Sequence, residues 1–191
     1  MSLLTREQWV KTNWPAAVRA TAGTGIFPET LMAMAVVESQ GKVNGTYYPG
    51  QGLVAKRANN YFGIKTSAAW KGATVALPTP GDADKISTFR VYPNFEASVA
   101  DFVKFLQVNP RYKNAGVFTA QDYVSQIVSI AKAGYAENPN YADVISSVAN
   151  KVKTLVKDII VPIQDTGRKF LPVLVAALII TAFFIAKKSQ Q

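Results

Sequence analysis

Glu38 closes the run PETLMAMAVVE, and its neighbours define a chemistry for it. Pro28 suits the first position of a helix, Glu29 falls in the first turn where the helix dipole favours an anion, and Gly41 stops the element. Leu31, Met34, Ala35 and Glu38 recur at i, i+3, i+4 and i+7, which puts the carboxylate on the stripe that faces the core. A carboxyl at the end of an apolar stripe loses hydration, so its charged form is disfavoured and its pKa rises. Such a group holds a proton near neutral pH and acts as a general acid. The same position also suits a side chain that tips outward at the helix end, or one that pairs with Arg57 or Lys65.

The other carboxylates near apolar runs are plainer. Glu96 sits where a helix begins and Asp101 between apolar Val99 and Phe102; both read as structural, with Arg90 as a partner for one of them.

The chain has no cysteine and no histidine, which removes thiol hydrolases, Ser-His-Asp triads and His-ligated zinc sites. Carboxylate chemistry remains, and it needs neither a metal nor an organic cofactor. A net charge of +9 draws the protein to polyanions. No zinc-finger spacing, RNP-like run or interleaving of basic and aromatic residues accompanies that charge, so no nucleic-acid partner is expected.

The elements that must position Glu38 are mainly helical. Helices are predicted over Arg6 to Ala20, Pro28 to Gln40, Phe95 to Leu106 and Ala120 to Ala133. Another runs from Asn138 to Ile160, with Ala142, Ile145, Val148, Ala149, Val152, Leu155, Val156 and Ile159 at helical period. Lys151, Lys153 and Lys157 lie along it and suit anionic headgroups. Between Ala73 and Tyr92 the β-prone runs TVAL and ISTFRVY flank the turn-rich PTPGDADK, which predicts a hairpin inserted in a helical domain.

The amino terminus carries Arg6, Glu7 and Lys11 and shows no apolar stretch of signal-peptide length. Near the other end, FLPVLVAALIITAFFIA at 170–186 spans about 25 Å as a helix, the short end of the transmembrane range. Arg168, Lys169, Lys187 and Lys188 bracket it as snorkelling residues would. The sequence therefore divides into a domain at 1–160, a linker at 161–169, a transmembrane helix at 170–186 and a polar tail at 187–191. The implied localisation is a membrane, reached by a single carboxy-terminal anchor and with the lipid bilayer as a partner.

Six blocks occur in order: AMAVVESQG, NNYFGIK, Trp70-Lys71-Gly72, FRVY, NPRY and AGYAENPNYA. Together they resemble the glucosaminidase family of glycoside hydrolases, over roughly residues 15 to 150. The resemblance implies a lysozyme-like α+β fold, mostly helical with a small β-hairpin lobe. It also implies hydrolysis of the bond after N-acetylglucosamine in peptidoglycan glycan strands.

Glu38 matches the family's helix-borne proton donor. A second carboxylate is expected from the hairpin lobe, following the two-carboxylate logic of glycosidases. Here LPTPGDADK has no glutamate where the family commonly has one, and Asp82 or Asp84 is the substitute, Asp82 being nearer the expected place. If neither reaches the cleft, the second role is either vacant or taken by an N-acetyl group of the substrate. Tyr135 matches a tyrosine that lines the catalytic cleft; from the bare sequence it also suits a core aromatic whose hydroxyl caps a loop. Asn60, Tyr61 and Phe62 match a cleft-wall loop, with Phe62 also suited to packing. Trp70 either stacks on a sugar or braces the hairpin.

Two further functional classes compete: a lytic transglycosylase using Glu38 alone, and a non-catalytic wall-binding membrane protein. The excess of basic residues before the apolar run places the domain on the cytoplasmic side by the positive-inside rule, away from peptidoglycan. A bacteriophage origin, in a membrane-containing virion or as a lysis enzyme, resolves that conflict; a bacterial inner-membrane enzyme is the alternative.

Overall fold

A computed structural model describes residues 3–159 and 161 of the chain. The first helix, α1 (Arg6–Thr21), opens on a capping box: the Gln8 backbone N–H donates to Thr5 Oγ1 at 3.2 Å and the Thr5 N–H to Gln8 Oε1 at 2.9 Å. Helix α2 (Pro28–Glu38) follows, with Pro28 at its first position as expected. Its N-cap, Phe27, has an apolar side chain that makes no capping hydrogen bond, and Gln126 binds the N–H of Phe27 itself. The Gln126 amide is fully buried; it accepts from the Phe27 N–H at 2.9 Å and donates to the Gly25 and Val117 carbonyls at 2.7 and 2.8 Å. Every polar atom it buries is thereby partnered.

The chain then turns at Ser39 into a hairpin of β1 (Gly41–Val43) and β2 (Thr46–Tyr48), joined by Asn44 and Gly45, both at positive φ. The short α3 (Leu53–Ala58) leads to a second hairpin, β3 (Thr74–Thr79) paired antiparallel with β4 (Asp82–Arg90). Helices α4 (Phe95–Val108), α5 (Pro110–Asn114), α6 (Tyr123–Lys132) and α7 (Tyr141–Val156) complete the unit, with a single 3-10 turn at Val117–Thr119.

α2 is the centre of this arrangement. It packs against α1, α6 and α7, and every residue from Thr30 to Val36 has zero exposed surface. The apolar stripe expected on α2 is therefore not a stripe: Met32, Ala33 and Val36 are as buried as Leu31, Met34 and Ala35, because neighbours cover the helix on all sides. The periodic face of α7 does behave as read, with Ile145, Val148, Ala149, Val152 and Val156 in the core. Helix α7 starts three residues later than expected because Asn138 forms a turn first, its side chain accepting from the Asn140 N–H and its carbonyl from the Tyr141 N–H.

The second hairpin corrects one expectation. The turn-rich stretch at 78–85 is mostly strand, with the reversal confined to Pro80 and Gly81, where Gly81 takes φ 84°. Pairing shifts from Pro78↔Ile86 to Thr79↔Asp82, so residues 83–85 bulge out with no partner opposite.

Among the described residues no helix is long and apolar enough to cross a membrane. The expected linker beyond residue 161, the transmembrane helix at 170–186 and the tail at 187–191 lie outside the described residues.

Candidate active site

Glu38 is the last residue of α2, where the helix leaves the core. Two residues earlier Val36 has no exposed surface, whereas Glu38 is exposed and lines a cleft of about 960 Å³. The carboxyl is open on its cleft side and crowded by protein elsewhere. That loss of hydration pushes its pKa above the ordinary 4.5. The Tyr141 hydroxyl opposes the shift, donating to Glu38 Oε1 at 2.9 Å and favouring the charged form.

Tyr141, at the first position of α7, is a site residue that reading the sequence missed. It is buried, and desolvation together with the charges of Tyr135 and Glu38 raises its own pKa far beyond the ordinary tyrosine range. It therefore keeps its proton and remains a donor. Its sequence signal is its place in AGYAENPNYA, six residues after Tyr135.

Tyr135 lines the same cleft. Its hydroxyl donates to the Phe62 carbonyl at 3.2 Å and its ring lies 5.6 Å from that of Tyr141. It faces the cleft, and its hydroxyl ties down the loop at Phe62. Burial, followed by the charge of Glu38, raises its pKa well above the usual value. Phe62 also lines the cleft and is buried by stacking on Phe102, with centroids 3.9 Å apart and planes within 3°.

Asn60 and Tyr61 do not face the cleft. Asn60 is buried; its side chain donates to the Ile64 and Arg90 carbonyls at 2.9 and 3.0 Å and accepts from the Ile64 N–H at 3.0 Å. These three bonds tie the loop to the base of the hairpin and leave Asn60 no direction in which to meet a ligand. Tyr61 turns the other way, its ring 5.9 Å from Trp9 and 4.9 Å from Phe95.

Trp70 lines the cleft and braces the hairpin, its Nε1 donating to the Ala73 carbonyl at 3.1 Å. The Arg90 guanidinium lies 4.8 Å over its ring. Arg90 Nη1 in turn donates to Asp101 Oδ2 at 2.7 Å, as does the Tyr92 hydroxyl at 2.8 Å. This fixes Asp101 as the paired carboxylate expected from the sequence.

Asp82 and Asp84 are both exposed, one beside the Pro80–Gly81 turn and the other inside the bulge, and neither lines the cleft. Thr79 pairs with Asp82 across the turn. The carboxylates lining the cleft are Glu38 and Asp101. Among the described residues no three Asp or Glu side chains converge so as to hold a metal ion.

The arrangement can deliver one proton. An acid with a raised pKa, steadied by a phenol and set in a large cleft, matches what protonation of a leaving-group oxygen requires.

The family model described as mannosyl-glycoprotein endo-beta-N-acetylglucosaminidase matches residues 14–154. The chain is 33% identical over 157 residues to the peptidoglycan hydrolase FlgJ of Vibrio parahaemolyticus, covering 78% of this chain and 48% of that protein. It thus spans about half the length of that relative. The glycoside hydrolase domain of Salmonella typhimurium FlgJ superposes with a TM-score of 0.62 at 27% identity, covering 82% of this chain and 93% of the domain. A peptidoglycan hydrolase from Sphingomonas sp. A1 gives a TM-score of 0.61 at 24% identity, over 87% of this chain and 99% of that one, a likeness of fold. The fold is therefore the lysozyme-like α+β fold, mostly helical with small sheets.

Proposed function

Because this chain belongs to the glucosaminidase family, we propose that it hydrolyses the β-1,4 bond following N-acetylglucosamine in peptidoglycan, with Glu38 as the proton donor. The observation that carries this reading is Glu38 itself: a carboxyl with raised pKa at the exit of a buried helix, bonded to Tyr141 and open to a cleft. Its proton passes to the glycosidic oxygen as the bond from C1 to that oxygen breaks and the bonding pair leaves with the oxygen. The carboxylate then accepts a proton from the water that attacks C1, which restores the acid.

The second role of a glycosidase pair is unfilled by the hairpin, since Asp82 and Asp84 lie outside the cleft and Asp101 is held by Arg90 and Tyr92. The substrate's own N-acetyl oxygen fills it in this proposal, as in substrate-assisted glycosidases. The same observation favours a second reading, a lytic transglycosylase in which a sugar hydroxyl replaces water.

Mass spectrometry of fragments released from purified peptidoglycan by the wild-type chain and its Glu38→Gln variant decides between them. Reducing N-acetylglucosamine ends that disappear in the variant support hydrolysis. Anhydro ends move the reading to transglycosylation, and no release by either leaves a wall-binding protein. Attachment to a membrane through 170–186, in a phage particle or a bacterial envelope, is a separate part of the proposal, tested by fractionating particles and host membranes.

A further inference from the structure

The cleft around Glu38 carries charge that proton transfer does not use. Four basic side chains line it: Lys65, Arg90, Lys104 and Arg111. Two are spent. Arg90 is committed to Asp101 and Trp70. Arg111 donates to the Gly134 carbonyl at 3.1 Å and to the Tyr112 hydroxyl at 2.6 Å, and lies 4.7 Å over the Tyr112 ring.

Lys65 and Lys104 are different. Both are exposed, and among the described residues neither ammonium stands within ion-pair distance of a carboxylate. Each is carried on a fixed backbone. Lys65 bridges to Phe89 of β4 and its carbonyl accepts from Arg90 Nε at 3.3 Å, while Lys104 lies on α4 one turn beyond Asp101. Of the two carboxylates lining the cleft, Asp101 is already neutralised by Arg90, which leaves this part of the wall cationic.

Resting on the glycan-cleaving reading above, we infer that Lys65 and Lys104 form a carboxylate-binding subsite that favours glycan strands bearing free carboxylates over neutral amino-sugar polymers. An ammonium on a flexible stem suits an anion whose position varies along a polymer, since it needs no fixed bidentate geometry. The carboxylate has two sources on such a strand. It belongs to the lactyl ether of muramic acid where the stem peptide has been removed, or to the peptide itself where it remains.

The test measures binding by titration calorimetry, with the full chain carrying Glu38→Gln so that strands stay uncut. That protein is compared with versions that also carry Lys65→Ala, Lys104→Ala or both. The probes are soluble strands stripped of peptide, strands with peptide intact, and both after conversion of their carboxylates to neutral amides. At low salt each lysine removal is expected to weaken binding to a carboxylated strand by about twofold to fivefold, and the pair by roughly tenfold. The effect should vanish on amidated strands and fade with added salt. A loss confined to stripped strands identifies the lactyl group, and one confined to peptide-bearing strands identifies the peptide. Unchanged affinity in every variant, equal weakening on amidated strands, or no binding to any strand overturns the inference. Cleavage by the wild-type chain is scored separately, so strands held through the lysines but never cut would retain the subsite and remove the reaction.

Discussion

The Tyr141 hydroxyl donates to Glu38 Oε1 at 2.9 Å, joining the last residue of α2 to the first of α7 across 103 positions of sequence. The bond does two things that pull in opposite directions. It holds the acid in one orientation, and it favours the charged form of a carboxyl whose surroundings favour the neutral one.

Tyr141→Phe separates those effects. Without the donor the pKa of Glu38 rises further, so the alkaline limb of the kcat profile moves to higher pH. The looser acid lowers kcat by about tenfold at the optimum, equivalent to about 1.4 kcal/mol and in keeping with a hydrogen bond to a charged group. A pH–rate profile whose alkaline limb stays in place would show that Tyr141 does not act on this carboxyl.

Glu38→Gln has a signature in stability as well as in rate. The folded protein holds the Glu38 proton to a higher pH than the unfolded chain, so between 4.5 and the raised folded value the native state binds more protons. Wild-type stability therefore declines as pH rises through that window, and the decline is complete above it. The variant lacks this decline. Its Tm relative to wild type should be higher at neutral pH than at pH 4, and calorimetric scans that show the reverse ordering would contradict the raised pKa.

Asp82→Asn and Asp84→Asn should each leave kcat and KM within about twofold of wild type, as exposed substitutions away from special features generally do. A loss of a hundredfold or more in either would mean that the hairpin delivers its carboxylate to the substrate, and the substrate-assisted mechanism would fall.

Asn60→Ala removes the partner of the Ile64 N–H and of the Ile64 and Arg90 carbonyls. Leaving buried polar groups unpaired costs about 2–4 kcal/mol, measured by equilibrium denaturation. KM of the folded fraction should be unchanged, because Asn60 meets no cleft ligand.

The contrast between Tyr61 and Phe62 shows where sequence reasoning runs out. Pro28, Glu38 and Gly41 announce a helix and its misfit carboxylate through local rules, and six ordered blocks announced the family. Within NNYFG, however, adjacent side chains diverge: Tyr61 packs on Trp9 and Phe95, while Phe62 stacks on Phe102 beside the cleft. Only the path of the chain through the fold decides which of them faces a ligand. Tyr141 was hidden for a similar reason, its partner lying 103 residues away. The β1–β2 hairpin was legible and overlooked, since Asn44-Gly45 between Val43 and Thr46 is a strong two-residue turn signal. The bulge at 83–85 left no such signal, because Pro80-Gly81 accounts for the reversal without it.

The enclosure of α2 from Thr30 to Val36 sets how this site ages under heat. Backbone amides in an element packed on every side open only when the whole domain does, whereas loops and hairpin tips fray first. Amide exchange should accordingly be slowest from Thr30 to Val36 and faster at the Pro80–Gly81 turn. Glu38 follows that segment on the same helix and is tied to α7 through Tyr141, so thermal inactivation and global melting of the domain should coincide.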